Sequence, residues 1–315
     1  MGTETTTRAA EAATGLGSDG FARVVCGVDG RRLGFEAARQ AARLTSGDGR
    51  LTLVGVIEPF AALAGRWGDE PSRRRPTMAP ADSAGRSVAE LTDRARASLA
   101  WAESQAAGPA ELGSRVVEGE VHRGLLGVVR EEEAGLVVVG AHGGHRLVAA
   151  ALADGAALVL HEAPCSVLVA RHGYDPGRFP ARIVVGVDGS PESRAALAAA
   201  AVVRRRSGGA LTVVTAGHHQ AEAVAALEGF DAPHVHVATP DRPVDAIVTA
   251  ARSADLAIVG SRGLSRSAAL GSVSERVAFR SESSVLVVRP GAAFGKSAGD
   301  VPAVPDAGAD PGAGR

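Results

Sequence analysis

Lysine is nearly absent. One residue, Lys296, stands against 33 arginines, and that scarcity removes almost every chemistry built on a lysine amine. The single lysine lies in PGAAFGKS (290–297), which invites comparison with a phosphate-cradling loop. Three residues separate Gly291 from Gly295 where that loop needs four, and the following AGDVPAVPDAGADPG cannot form the helix such a loop must feed. Aromatic residues make up only 3% of the chain, so a core has to come from Val, Leu, Ala and Ile. Two cysteines cannot build a disulfide framework, which makes a reducing compartment the expectation. A net charge of −1 lacks the basic footprint of a nucleic-acid binder, so no nucleic-acid partner is expected. No apolar run approaches the roughly 18 residues of a membrane span, and no charged-then-apolar leader pattern opens the chain. A cytoplasmic protein with no membrane partner is the expectation.

What is present is alternation. Short β-branched runs take turns with Ala-, Leu- and Arg-rich helical runs, the pattern of a parallel sheet covered on both faces. Strands are predicted near 23–28, 51–57, 115–118, 135–140 and 166–170, with helices near 34–45, 86–107, 122–132 and 149–161. A second series follows, with strands near 182–187, 211–215, 234–238, 255–259 and 284–289 and helices near 191–206, 219–229, 242–252 and 272–281. The two series match in order. VVCGVDG (24–30) answers VVGVDG (184–189), LVVVGAHG (136–143) answers LAIVGSRG (256–263), and CSVLVAR (165–171) answers SSVLVVR (283–289). A repeat of this length implies two copies of one domain. Leu51 and Leu211 stand 160 apart but Gly140 and Gly260 only 120, so the second copy is 40 residues shorter between its second and third strands.

The expected organisation is therefore a tail over 1–20, a first domain over 21–172, a second over 181–290, and a tail over 291–315. Both tails are expected to be disordered, because they are rich in small and polar residues and carry no apolar period. The fold class is α/β. It is expected as two tandem doubly wound five-stranded parallel sheets of order 3-2-1-4-5, packed through their fifth strands.

In such sheets ligands bind beyond the carboxyl ends of the strands, where strand order reverses. Asp188 ends the first strand of the second copy and Gly260 ends its fourth. The stretch GSRGLSRSAALGSVSERV (260–277) then runs from that strand into a helix whose first N–H groups favour an anion. The layout suits a nucleotide, with the carboxylate near ribose or base and the glycine turn near phosphates.

VVGVDGSPES, IVGSRG and GSVSERV together resemble the universal stress protein family, most closely its tandem two-domain bacterial form, over about residues 21–290. The resemblance implies a Rossmann-like, adenine-nucleotide α-hydrolase-like fold and a stress-associated regulatory protein. It implies ATP or another adenine nucleotide as ligand and at most slow ATP hydrolysis, with Mg2+ only if a triphosphate binds. Carried over by position, Asp188 and the end of the second strand near Val214 would hold adenosine. Val259, Gly260, Gly263, Gly271, Ser272 and Val273 would hold ribose and phosphates, with Arg262 available to neutralise charge.

Neither copy follows the family pattern G-x2-G-x9-G-[ST] throughout. The second has seven residues between Gly263 and Gly271, a shortfall of about 6–7 Å of extended chain. The first keeps the spacing from Gly140 and Gly143 but places Ala153-Asp154 where Gly-Ser belongs, and that carboxylate would repel phosphate. Together with Asp29 these residues form a degenerate first site. The alternative is an interaction module of the same fold that binds no nucleotide. An intramolecular domain pair and a possible homodimer are the expected assemblies.

Simpler roles compete at several positions. Ser272-Val-Ser-Glu275 is also a helix-capping box, and Asp29, Asp154 and Asp188 could each cap a helix. His218-His219 and His234-x-His236 fall at opposite ends of adjacent strands, which disfavours a shared metal. Cys26 and Cys165 read as small core residues. Arg73–Arg75, near Trp67, lie in the long loop 58–85, and Glu131–Glu133 read as a solvated helix face. No catalytic set is found at a strand end.

Overall fold

The computed structural model describes residues 16–17, 19–58, 87–106, 108–109, 111–141, 154–171, 178–217, 220–228, 230, 232–261 and 272–290. In the first series the strands are β1 (Leu16–Gly17), β2 (Gly20–Gly27), β3 (Thr45–Ile57), β4 (Glu111–Glu118), β5 (Leu136–Gly140) and β6 (Ser166–Ala170). Its helices are α1 (Arg32–Leu44), α2 (Val88–Gln105), α3 (Val121–Glu131) and α4 (Asp154–Glu162). The second series has β7 (Arg182–Val187), β8 (Ala210–Ala216), β9 (Val235–Thr239), β10 (Leu256–Gly260) and β11 (Ser284–Val288). Between them run α5 (Pro191–Ser207), α6 (Gln220–Ala225), α7 (Pro243–Ala251) and α8 (Ser272–Arg280).

The expectation of two sheets needs correction. The eleven strands among the described residues form one sheet in the order β4-β3-β2-β5-β6-β11-β10-β7-β8-β9, with β1 pairing to β2 off this path. The fifth strands of the two series, β6 and β11, do not merely face each other. They hydrogen-bond antiparallel, with Leu168 opposite Leu286 at the centre of the pairing. An apolar strand left at a sheet edge is a liability, and this pairing removes two of them. Every other pairing on the path is parallel. The carboxyl ends of the two parallel sets therefore point in opposite directions, to opposite ends of the strands.

Strand residues alternate between two cores, as a sheet buried on both faces requires. Val24, Cys26, Ile183 and Val185 point to a core shared by α1, α2, α5 and α6. Val25, Val184, Val137 and Ala257 point to the opposite core, built with α3, α4, α7 and α8. Both cysteines are free and buried. Burial pushes both thiols up, that of Cys165 to about 12 despite the opposing charge of Arg289.

Order begins earlier than the tail reading allowed. Leu16 is buried and pairs opposite Phe21, while Phe21 also pairs with Thr45 at the start of β3. Helix α3 ends at Glu131, so the acidic triplet is not one solvated face. Glu131 pairs with Arg115, Glu132 accepts from the Thr52 hydroxyl, and Glu133, at φ 49°, pairs with Arg23.

The 40-residue difference is visible between the second and third strands of each series. In the first, the 18-residue α2 covers β3 and β4, opened by a capping box between Ser87 and Glu90. In the second, the six-residue α6 takes its place and β9 stays exposed, with Val235 63% and Val237 41% accessible. Arg73–Arg75, Trp67, His218-His219 and the C-terminal tail lie outside the described residues.

Candidate functional site

β7 is the first strand of the second series. The chain moves from it to β8 on one side and returns later to β10 on the other. That reversal falls at the carboxyl ends of β7 and β10, and the chain places Asp188 and Gly260 there.

Asp188 follows β7 directly. Its Oδ1 accepts from the Ser190 N–H at 3.0 Å and from the Ser190 hydroxyl at 2.5 Å, while its own N–H donates to Ser193 Oγ at 3.3 Å. Burial is the strongest single influence on this carboxyl and pushes its pKa up. The hydrogen bonds from Ser190, Ser193 and the local backbone together outweigh burial and hold it below the usual aspartate value. Asp188 is thus a fixed, exposed anion. The helix cap itself is Ser190, whose hydroxyl accepts from the Ser193 N–H at 3.2 Å, with Pro191 in the first helical turn. Ser190 and Ser193 were missed as site residues. The Ser-Pro-x-Ser pattern directly after the aspartate was the available signal.

Gly260 owes its identity to packing. A Cβ there would sit 2.3 Å from the Glu192 carbonyl oxygen and 2.8 Å from the Ser193 nitrogen. The first turn of α5 crosses the end of β10 at that point, and only glycine lets the two backbones meet. Gly140 repeats the arrangement against Leu33 and Gly34, at 2.7 and 3.1 Å. Gly189, at φ 84°, is glycine by conformation and also lies against the backbone of Glu222 in α6.

Val259 and Val214 are both buried in the core on the α7–α8 side. Val214 pairs with Gly186 and Thr215 with Val187, so the residue level with Asp188 is Ala216, at the end of β8. Val273 lies half-buried against the same core in the first turn of α8. Ser272 opens α8 in the described chain, and Glu275 lies 3.4 Å from His161 across the two series. Arg262, Gly263 and Gly271 lie outside the described residues.

In the first series Asp29 follows β2 as Asp188 follows β7. Its Oδ1 accepts from the Arg31 N–H at 3.0 Å, and its other oxygen lies 3.9 Å from Arg31 Nε. Helix α1 has no side-chain cap, because Arg31 stands where Ser190 stands in the second series. Asp154 opens α4, while Gly143 and Ala153 lie outside the described residues.

Among the described residues no group of three or more His, Cys, Asp or Glu side chains comes together, and no helix is long and apolar enough to cross a membrane. His236 instead shares a hydrogen bond with the Thr215 hydroxyl at 2.9 Å, and His234 faces the Ala232 carbonyl at 2.8 Å.

The topology defines a tandem, doubly wound α/β protein whose strand order reverses once in each half. The universal stress protein family matches residues 20–171 and 216–289. The chain belongs to the universal stress protein family. The second matched segment starts at Ala216, beyond Asp188, so the placing of Asp188 rests on the geometry above. A universal stress protein from Archaeoglobus fulgidus DSM 4304 superposes with a TM-score of 0.64 at 18% identity, over 85% of this chain and 96% of that one. A putative universal stress protein from Pseudomonas aeruginosa UCBPP-PA14 superposes with a TM-score of 0.58 at 20% identity, over 88% and 96%. A universal stress protein in complex with cAMP matches 47% of this chain and 94% of its own length, with a TM-score of 0.29 at 22% identity. No curated protein matches the sequence.

Proposed function

We propose that the second half of the chain binds an adenine nucleotide beyond the carboxyl ends of β7 and β10, and that the protein acts as a stress-associated regulator by holding that nucleotide without efficient turnover. One observation carries this reading. Asp188 is an ionised carboxylate locked by Ser190 at the point where strand order reverses, as a group that accepts from ribose hydroxyls must be. Its neighbours are suited to the role. The end of β10 packs against α5 at Gly260, and α8 starts beyond it, where a helix N-terminus favours an anion. Because Val214 and Val259 bury their side chains, they would meet a ligand through main-chain atoms alone. Mg2+ would enter only with a triphosphate. The first half is its structural partner, since Ala153-Asp154 occupies the place of Gly271-Ser272.

The test is competition binding of AMP, ADP and ATP to the whole protein, together with mass spectrometry of nucleotide released on denaturation. Binding of adenine nucleotides without a strong preference for ATP is expected, because the segment Leu264–Leu270 is two residues shorter than the family pattern. A strong preference for ATP overturns the loop argument. Absence of all adenine-nucleotide binding overturns the reading and favours an interaction module, for which the exposed β9 edge is the specific support.

A further inference from the structure

A cavity of about 250 Å³ lies where the two halves meet beside α1 and α5. Its wall comes from the last turns of those helices, the start of β2 and the segment Arg178–Pro180 that leads into β7. The halves contribute from equivalent positions. Ala42 and Val202, Arg43 and Val203, and Gly20 and Pro180 all line it, and each pair stands 160 residues apart, as Leu51 and Leu211 do. The residues at those positions have diverged, however. Arg43 in the first half answers Val203 in the second, and Asp19 answers the buried Phe179. The wall is thus apolar on one part and carries Arg43, Arg178 and Arg206 on another.

Arg206 is fixed at this wall. Its Nη1 donates to the Asp19 main-chain oxygen of the first half at 2.7 Å, and a Cβ on Gly20 would sit 2.9 Å from the same nitrogen. The Asp19 carboxylate is engaged elsewhere, its Oδ2 accepting from the Gly47 N–H at 3.0 Å. Among the described residues no carboxylate forms an ion pair with Arg178 or Arg206. The helix dipoles do not account for all three arginines. Two helix C-termini supply about half a negative charge each, and with Asp19 they balance roughly two of the three guanidinium charges. About one positive charge is left over beside an apolar wall.

We propose that this cavity binds a small organic anion, a monocarboxylate with an apolar body, held by Arg178 and Arg206 and seated against Pro180 and Val203. Pockets for drug-sized ligands run from about 300 to 1,000 Å³, so the occupant is smaller than those. The site is separate from Asp188 and the end of β10 and does not depend on the nucleotide reading. Its occupant touches both halves and so strengthens their joint.

The experiment uses the whole protein with phenylacetate as the probe. Phenylacetamide is its neutral counterpart, and inorganic phosphate is an anion without an apolar body. Calorimetry should find one phenylacetate per chain, with phenylacetamide and phosphate each weaker by about tenfold or more, the scale of one hydrogen bond to a charged group. Phenylacetate should also raise the thermal midpoint. Arg178→Gln and Arg206→Gln should each weaken it about tenfold, and Asp188→Ala should leave it unchanged. Arg178 is exposed, so its variant tests the site even if Arg206→Gln, which also loses the Asp19 contact, fails to fold. Absence of phenylacetate binding overturns the proposal. So does equal affinity for the amide, which means an apolar cavity only, or equal affinity for phosphate, which means that the apolar wall plays no part. Unchanged affinity in either arginine variant overturns it, because both are assigned to the carboxylate. Loss of phenylacetate in Asp188→Ala moves the anion to the strand ends and also overturns it. Failure of the protein to bind any nucleotide alters none of these outcomes.

Discussion

Arg171 Nη2 donates to the Ala278 carbonyl oxygen at 2.7 Å, so an arginine just past β6 of the first half closes the last turn of α8 in the second. The relation is reciprocal. Arg289, just past β11, donates through the matching nitrogen to the Leu160 carbonyl in α4, and through the other to Ala163. The main chains copy it, with the Arg171 N–H on Ser284 Oγ at 2.9 Å and the Arg289 N–H on Ser166 Oγ at 3.2 Å. Carbonyls at helix C-termini lack intrahelical donors and carry partial negative charge, and a guanidinium satisfies both needs. Burial pushes Arg171 down to about 10, which leaves it a cation at neutral pH.

Removing either arginine should loosen the joint between the halves. Arg171→Ala strands the Ala278 and Ser283 carbonyls, and Arg289→Ala strands those of Leu160 and Ala163. Each should cost about 1–3 kcal/mol in denaturant unfolding. Lysine at either position should recover only part, because one ammonium does not reproduce the planar two-nitrogen fork. Unchanged stability in both alanine variants would remove the capping role.

Gly260→Ala and Gly140→Ala should both destabilise, by roughly 1–3 kcal/mol from forced backbone shifts. The effect at Gly260 should be larger, because its added Cβ meets backbone at 2.3 Å against 2.7 Å at Gly140. Thermal unfolding of nucleotide-free protein measures this. A Gly260→Ala protein of wild-type stability that loses only ligand affinity would show that glycine serves the ligand and not α5.

Asp188 makes stability depend on pH in a defined direction. Its folded pKa lies below the ordinary value, so the ionised form contributes stability above that ordinary value, about 3.9. The contribution is lost as pH falls from there through the folded pKa. The stability gap between wild type and Asp188→Ala should be full at pH 7, shrink below about pH 4, and vanish in stronger acid. A gap that does not change with pH would mean that Asp188 is not ionised. At neutral pH the same variant should weaken adenosine, AMP, ADP and ATP alike, since its proposed contact is with the nucleoside.

Titration calorimetry should find at most one nucleotide site per chain. Replacing Ala153-Asp154 with Gly-Ser should move the first half toward binding, because a phosphate would no longer face a carboxylate at the start of α4. Two sites of similar affinity in wild type would refute the asymmetry.

The sequence by itself determined the elements, the repeat and the α/β class. Short apolar runs such as RIVVGV and SVLVV are buried on both faces and need no partner to be recognised, and their bounds match β7 and β11 closely. Asp188 was legible for the same reason, since the carboxylate, turn glycine and capping serine are neighbours in the chain. Tertiary structure decided what depends on distant partners. That β6 and β11 fuse two expected sheets into one follows from which apolar edges remain unpaired after each half has folded. The roles of Arg171 and Arg289 follow in turn, because their acceptors lie more than a hundred residues away. Gly260 carries no local mark of the α5 turn that crosses it, and Arg178 and Arg206 look like any arginines near the ends of elements. Only the docking of the two halves brings them to one cavity, and a cavity is a property of the assembled fold.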